Sequence, residues 1–288
     1  MTRLFALCLL LAVSHAVPAA SLQTLLEQDH LRLQTWLEPA DSVVVGQEVR
    51  LVVEVATRRW FAGGTQIRHP EVANLVILQR DNFATNLSRQ ESGQTWVVQQ
   101  WRLELYPQAA GMFRIPSLQL ELAVNDASAG IVRGQLMSEA LQFSAAVPGL
   151  MSTTSHWLAA PQFSVEQNFD RELAGLQPGD ALTRTITLEA IELNSMMLPA
   201  FEEAPQPGLA SYPSNPRLQD RSNRGAAAAR RIEEISYVIE KAGQYQLPEK
   251  NYYWWNTATQ SAEIATLAAI TIDAGVAPST KAETRVTP

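Results

Sequence analysis

Two blocks of this chain, "GMFRIP" at 111–116 and "GQYQLP" at 243–248, share the pattern Gly-x-aromatic-x-aliphatic-Pro and begin 132 positions apart. Two earlier turn glycines, Gly46 in "VVVGQEVRLVVEVAT" and Gly179 in "LQPGDALTRTITLEAIEL", lie 133 positions apart. Landmarks that hold register to one residue over this distance mark an internal duplication. Each landmark also fixes a backbone event. Glycine permits a tight turn. Residues two apart share one face of a strand, and proline, which cannot donate to a ladder, marks a strand edge or a break.

The surrounding segments read as strands. Val49, Leu51, Val53 and Val55 alternate with Arg50, Val52 and Glu54. Leu182, Arg184, Ile186 and Leu188 alternate with Thr183, Thr185 and Thr187. "HLRLQTWLEP", "ANLVILQR", "TWVVQQWRLELY", "ARRIEEISYVIEK" and "IATLAAITID" add further short strands, and only "ASLQTLLEQDH" is helix-like, over one or two turns. Short strands separated by turn signals predict an all-β fold of two tandem Ig-like antiparallel β-sandwich domains. Domain 1 spans 29–147, a linker rich in Ser and Thr spans 148–160, domain 2 spans 161–274, and a polar tail at 275–288 reads as disordered.

The first residues read as an export signal. Arg3 is a basic start, residues 4–13 are an apolar run, and Ser14-His15-Ala16 offers a cleavage site, with Val17-Pro18-Ala19 as a second option. The expectation is a cleaved signal peptide at 1–16 and periplasmic localisation. The single cysteine, Cys8, lies inside this segment. Beyond it disulfides, thiol catalysis and thiolate metal sites are excluded. No later apolar run is long enough for a transmembrane helix. A formal charge of −7 argues against nucleic-acid binding.

Signals for chemistry are sparse. His15, His30, His69 and His156 show no paired ligand spacing, and neither a nucleophile elbow nor a phosphate loop occurs. Glu233 and Glu234 are adjacent in a strand, so they point to opposite faces. The reading is a non-enzyme with no metal and no cofactor.

Candidate interaction residues fall in three places. Trp60 and Phe61 precede Gly63-Gly64 and read as a loop that either binds or plugs the core end. Arg217, Arg221 and Arg224 belong to a basic stretch, "NPRLQDRSNRGAAAARR", read as a long polar hairpin loop that either is solvated or contacts an acidic partner or anionic headgroups. The run Tyr252-Tyr253-Trp254-Trp255 is the third. At the repeat offset Tyr252 and Trp254 fall opposite Leu120 and Leu122, so they are predicted core, while Tyr253 and Trp255 are predicted to face outward.

Taken in order and spacing, "VGQEVRLVVEV", "RRWF", "GQTWVVQQWRLELYPQAAGMFRIP", "PGDALTRTITLEA", "YPSNPRLQDR" and "ISYVIEKAGQYQLPEKNYYWWN" resemble the BatD family of bacterial aerotolerance, or oxygen tolerance, proteins. The likeness covers most of residues 31–273. It implies periplasmic Ig-like domains tied to the inner membrane, with a MoxR-type AAA+ ATPase and proteins bearing von Willebrand factor A domains as companions. Such proteins usually continue into a C-terminal transmembrane helix. This chain ends in a polar tail, which reads as a short soluble form or as one that reaches the membrane through a partner. The resemblance implies a scaffold role in aerotolerance or envelope stress and brings no catalytic residues. Two other readings stand beside it: a carbohydrate-binding module stacking sugars on Tyr253, Trp255 or Trp60, and an enzyme with a site in an interdomain cleft.

Overall fold

The computed structural model describes residues 21–223 and 226–275. The expected leader, Arg224 and the tail beyond residue 275 lie outside the described residues. The architecture is all-β, built of several mainly antiparallel sheets in a sandwich-like arrangement.

One α-helix precedes the strands, α1 (Leu22–Glu27). The Ser21 hydroxyl caps it by accepting from the Thr24 N–H at 3.1 Å. Leu22 and Leu25, three apart, share the face that is buried in the first core.

The first half carries β1 (Leu31–Glu38), β2 (Val43–Val44), β3 (Val49–Thr57), β4 (Trp60–Phe61), β5 (Gln66–Ile67), β6 (Leu75–Leu78), β7 (Thr85–Glu91), β8 (Gln94–Pro107), β9 (Gly111–Ile115), β10 (Gln119–Asp126), β11 (Gly130–Met137) and β12 (Leu141–Ala146). The second carries β13 (Leu158–Ala160), β14 (Phe163–Phe169), β15 (Ala181–Ile191), β16 (Leu209–Pro213), β17 (Arg217–Asn223), β18 (Ala226–Ile239), β19 (Gly243–Leu247), β20 (Lys250–Asn256), β21 (Ser261–Leu267) and β22 (Ile270–Ala274).

The duplication is visible in the pairing. One sheet runs β1-β3-β8-β6 with β7 also on β8; its counterpart runs β14-β15-β18-β16 with β17 also on β18. The pairs β1/β14, β3/β15, β7/β17, β8/β18 and β9/β19 each start 132 positions apart. Gly46, at φ +80°, donates its N–H to the Pro107 carbonyl at 2.7 Å, and Gly179, at φ +96°, donates to the Ile239 carbonyl at the same distance. Two residues of β12 pair in parallel with Val43 and Val44, and Ala274 of β22 makes a parallel bridge to Leu176.

Each half has its own apolar core. The first is lined by Leu51, Val53, Leu103, Phe113, Leu120 and Phe143 among others, the second by Ile186, Leu188, Ile239, Leu247, Tyr252 and Trp254. Tyr252 and Trp254 are thus core residues, packed edge-on against Phe163 with ring centroids 6.1 Å away in both cases. Rings in this geometry gain beyond area burial alone.

Several expectations need correction. The linker's last residues form β13, which joins the sheet of the second half alongside β20. The segment "IATLAAITID" breaks into β21 and β22, because residues 268–269 leave the ladder. Trp60 and Phe61 form β4 rather than a loop, pairing with Asn125 and Val124. The basic stretch is a paired hairpin, β17 on β18, rather than a loop.

Gly208 shows where backbone freedom is obligatory. It sits at φ +89°, and a Cβ there would stand 2.8 Å from the Tyr245 hydroxyl oxygen. That oxygen lies 2.6 Å from the Lys241 carbonyl and 2.8 Å from the Gly208 carbonyl. Gly179 has a similar φ with open space around it. Gly179→Ala is expected to cost about 1–2 kcal/mol, the left-handed backbone term alone. Gly208→Ala should cost measurably more, because Tyr245 must also move. Urea unfolding of both variants checks the order; equal losses would show that the Tyr245 hydroxyl is not fixed.

Candidate interaction groove between the halves

A groove of about 810 Å³ lies where the halves meet. Val45, Gly46, Pro107 and Gln108 line it from the first half, Ser155 to Ala159 from the connection, and Leu193, Met196, Met197, Pro199, Ala200, Glu202 and residues 250–253 from the second half. Apolar side chains and the polar Gln108, Ser155, His156, Glu202, Lys250 and Asn251 share its wall.

The Met196 side of the groove is held by a polar clamp. A 3₁₀ turn, Ser195–Met197, is capped by the Asn194 side chain, which accepts from the Met196 N–H at 3.0 Å. Asp220 on β17 accepts from the Ser195 N–H and hydroxyl, both at 2.8 Å. With its neighbours fixed, Met196 is left 76% exposed. On the opposite side Tyr252 is buried with its hydroxyl unpaired, and burial pushes that hydroxyl up to about 12. The next residue, Tyr253, is 42% exposed and stands opposite Ile264, also exposed, across the β20–β21 ladder.

A charged cluster ties the halves together beside the groove. Tyr106, fully buried, packs with the second core although β8 belongs to the first half. Its hydroxyl lies 3.1 Å from both Glu48 and Glu104. Arg50 donates to Glu48 at 2.8 Å and also pairs with Glu192 of the second half. Arg80 pairs with Glu104, donates to the Leu193 carbonyl at 3.2 Å, and lies 3.7 Å from Asp220. One phenolic proton serves one carboxylate at a time, and each carboxylate also accepts from an arginine. Burial raises Glu104 above the ordinary carboxylate range and the Glu48 charge adds to this, while the Arg80 hydrogen bond opposes it.

A second buried network lies under the loop that precedes β16. Arg184, wholly buried on the core face of β15, donates to Gln167 at 3.0 Å and to Glu203 at 2.9 Å. Glu203 also accepts from the Tyr237 hydroxyl. Phe201 covers the Arg184 guanidinium, 5.1 Å from it, and Lys250 lies 4.7 Å from the same ring.

Of the predicted interaction residues that the structure describes, Tyr253 alone lines the groove. Trp60 is 70% exposed but belongs to the β4–β10 pair elsewhere. Phe61 packs against the first core. Trp255 is not outward: it is 9% exposed, because Val44, Met151 and Ala159 are packed over it, with Trp157 at the margin. Arg217 makes a two-pronged bond to Glu234 at 2.7 and 3.0 Å, and Arg221 donates to Gln219 at 3.3 Å. Arg230 and Arg231 pair with Glu189 and Glu233, so much of the hairpin's positive charge is neutralised within its own sheet. Glu233 and Glu234 do point apart, one to Arg231 and the other to Arg217. Met196 and Trp157 were missed, since nothing in their local sequence marks them. Among the described residues no group of three or more His, Cys, Asp or Glu side chains is placed to hold a metal ion.

The Glu104 arrangement has a pH signature. A carboxyl raised in the folded state holds its proton more tightly there than in the unfolded chain. Its contribution is whole below the ordinary value of 4.5 and is lost as pH rises through the raised value. Glu104→Gln mimics the protonated form and removes this dependence. Urea midpoints measured from pH 4 upward should therefore show wild type losing ground to the variant as pH rises; parallel curves would refute a raised Glu104 carboxyl. A scan against protein-family models and a search of curated proteins return no match to this chain.

Proposed function

We propose that this chain is a non-enzymatic interaction protein of the BatD type: two tandem Ig-like units, exported to the periplasm, that bind envelope proteins. Membrane proteins with von Willebrand factor A domains are the expected partners, alongside a MoxR-type ATPase, in aerotolerance or envelope stress. The observation that carries this reading is the groove between the halves, with Tyr253 and Met196 exposed among the residues that line it. Exposed aromatic and methionine side chains in a groove are typical anchors for protein partners.

The Ig-like part of the proposal rests on the repeated strand order and on one detail. Tyr245 turns its hydroxyl back onto the backbone four residues upstream, at Lys241. That bond is similar to the tyrosine corner of immunoglobulin-type sandwiches. The envelope setting rests on the sequence resemblance. Among the described residues no helix is long and apolar enough to cross a membrane.

The test is capture from a detergent-solubilised inner-membrane fraction. The full chain should retain von Willebrand-type proteins, and the double variant Tyr253→Ala, Met196→Ala should weaken capture about 10-fold or more, as for a recognition anchor. Trp60→Ala should leave it unchanged. Loss of capture with Trp60→Ala alone would move the interaction surface to β4. Binding to a glycan array abolished by Trp60→Ala would favour the carbohydrate-binding alternative instead.

A further inference from the structure

The duplication allows one half to be read against the other, and they differ at one sheet edge. In the first half β10 is flanked on one side by β11 and on the other by two short antiparallel strands. β5 covers Leu120 and Glu121; β4 covers Val124 and Asn125. The equivalent of β10 is β20, 132 positions on. Residues 119–124 and 251–256 match closely in burial, each with a buried residue at the second, fourth, fifth and sixth positions. Yet β20 receives only β13 on that side, which pairs with Trp254, Trp255 and Asn256. No strand among the described residues pairs with Tyr252 and Tyr253 on this side, where β5 pairs with Leu120 and Glu121; Pro199, Ala200 and Glu202 line the groove here without pairing, and Lys250 donates to the Glu202 carbonyl at 3.2 Å.

The backbone direction at this gap follows from bonds on either side of it. Thr257 donates its N–H to the Ala160 carbonyl, across the β13 side of β20. Along a strand the N–H and C=O groups of alternate residues face the same edge. Trp255, Tyr253 and Asn251 therefore present theirs to this edge too. In the first half the same positions are occupied: Ala123 accepts from the Ala62 N–H at 2.8 Å and Gln119 from the Arg68 N–H at 3.0 Å. The bare edge opens into the groove, since residues 250–253 are among those lining it.

Resting on the interaction reading above, we infer that the 250–253 edge of β20 is a strand-addition site, filled by a short extended segment of a partner protein that runs antiparallel to β20. The first half supplies the template. There Ile67 stands opposite Leu120 and packs on the core, while Gln66 stands opposite Glu121 and is exposed. The partner segment accordingly places an apolar residue opposite Tyr252 and a polar one opposite Tyr253. Main-chain bonds supply affinity, and the alternate side chain selects the sequence. An uncovered edge that is short and sunk in a groove also resists indiscriminate sheet pairing.

The probe is a synthetic peptide of residues 64–71, GTQIRHPE, which contains β5. Titrated into the full chain, it should shift the backbone amide resonances of Asn251 and Tyr253 saturably. N-methylation at the residue equivalent to Gln66 or Arg68, whose N–H groups face the ladder, should weaken binding at least 10-fold. N-methylation at the Ile67 equivalent, whose N–H faces away, should change it less than 3-fold. Equal sensitivity at all three positions, or shifts located elsewhere, would overturn the inference. So would binding seen only after deletion of residues 276–288, which would assign the edge to the chain's own terminus. Concentration-dependent self-association competed by the peptide would assign it to a second copy and overturn it too. If the peptide fails while capture of envelope proteins still depends on Tyr253 and Met196, the strand-addition site falls and the interaction reading stands. If capture fails as well, the reading itself falls.

Discussion

Every strand has two rows of backbone donors and acceptors to satisfy, and the disposal of those rows governs this molecule. The longest strands, β8 and β18 at 14 residues each, solve the problem by taking several partners. One edge of each is covered along its length by a single long neighbour, β3 or β15. The other edge is shared by two shorter strands. The turn glycines, the 132-residue register and the hairpins β7–β8 and β17–β18 are consequences of repeating this solution. Where the two copies part company, at the side of β10 and β20 away from β11 and β21, the difference is again about which backbone groups are covered.

The halves are joined by apolar contacts and by charge. Val44 of the first half packs on Trp255, and, with Val76 and Leu78 beside it, the buried Tyr106 packs with the second core. Around it the junction uses carboxylates and arginines, several of them largely buried. Buried ion pairs give back much of their Coulomb gain as desolvation, so they are a weak source of stability and a better source of specific geometry. Arg80 illustrates the point. One side chain touches Glu104, the Leu193 carbonyl and Asp220, and Asp220 in turn fixes the turn that presents Met196. The groove is therefore shaped by the same residues that set how one half meets the other.

The all-β class and the repeat were legible because they rest on periodicity and on glycine. Alternation placed Tyr252 and Trp254 in the core through Leu120 and Leu122, and φ above zero at Gly46 and Gly179 follows from their place in matched turns. What alternation cannot report is what lies over a face. Trp255 lies outside the second core yet is not outward, because Val44 of the first half and Met151 and Ala159 of the connection bury it. Arg184 shows the converse: its place among Leu182, Ile186 and Leu188 was readable, but its partners Gln167 and Glu203 come from separate segments. The basic hairpin misled in a third way, since charge on a strand is answered by charge on the neighbouring strand, and only the register reveals that pairing. Met196 acquires its exposure from Asp220, 24 positions away, and no local signal carries that.

The central claim is that, among the described residues, β20 lacks the covering strand that β10 has. Residue-resolved amide hydrogen exchange on the free protein tests it directly. The N–H groups of Glu121 and Tyr253 occupy equivalent positions, one opposite β5 and the other facing the groove. Exchange at Tyr253 is predicted to be at least 100-fold faster than at Glu121, with Trp255, covered by β13, slow again. Equal protection at Glu121 and Tyr253 would contradict the account.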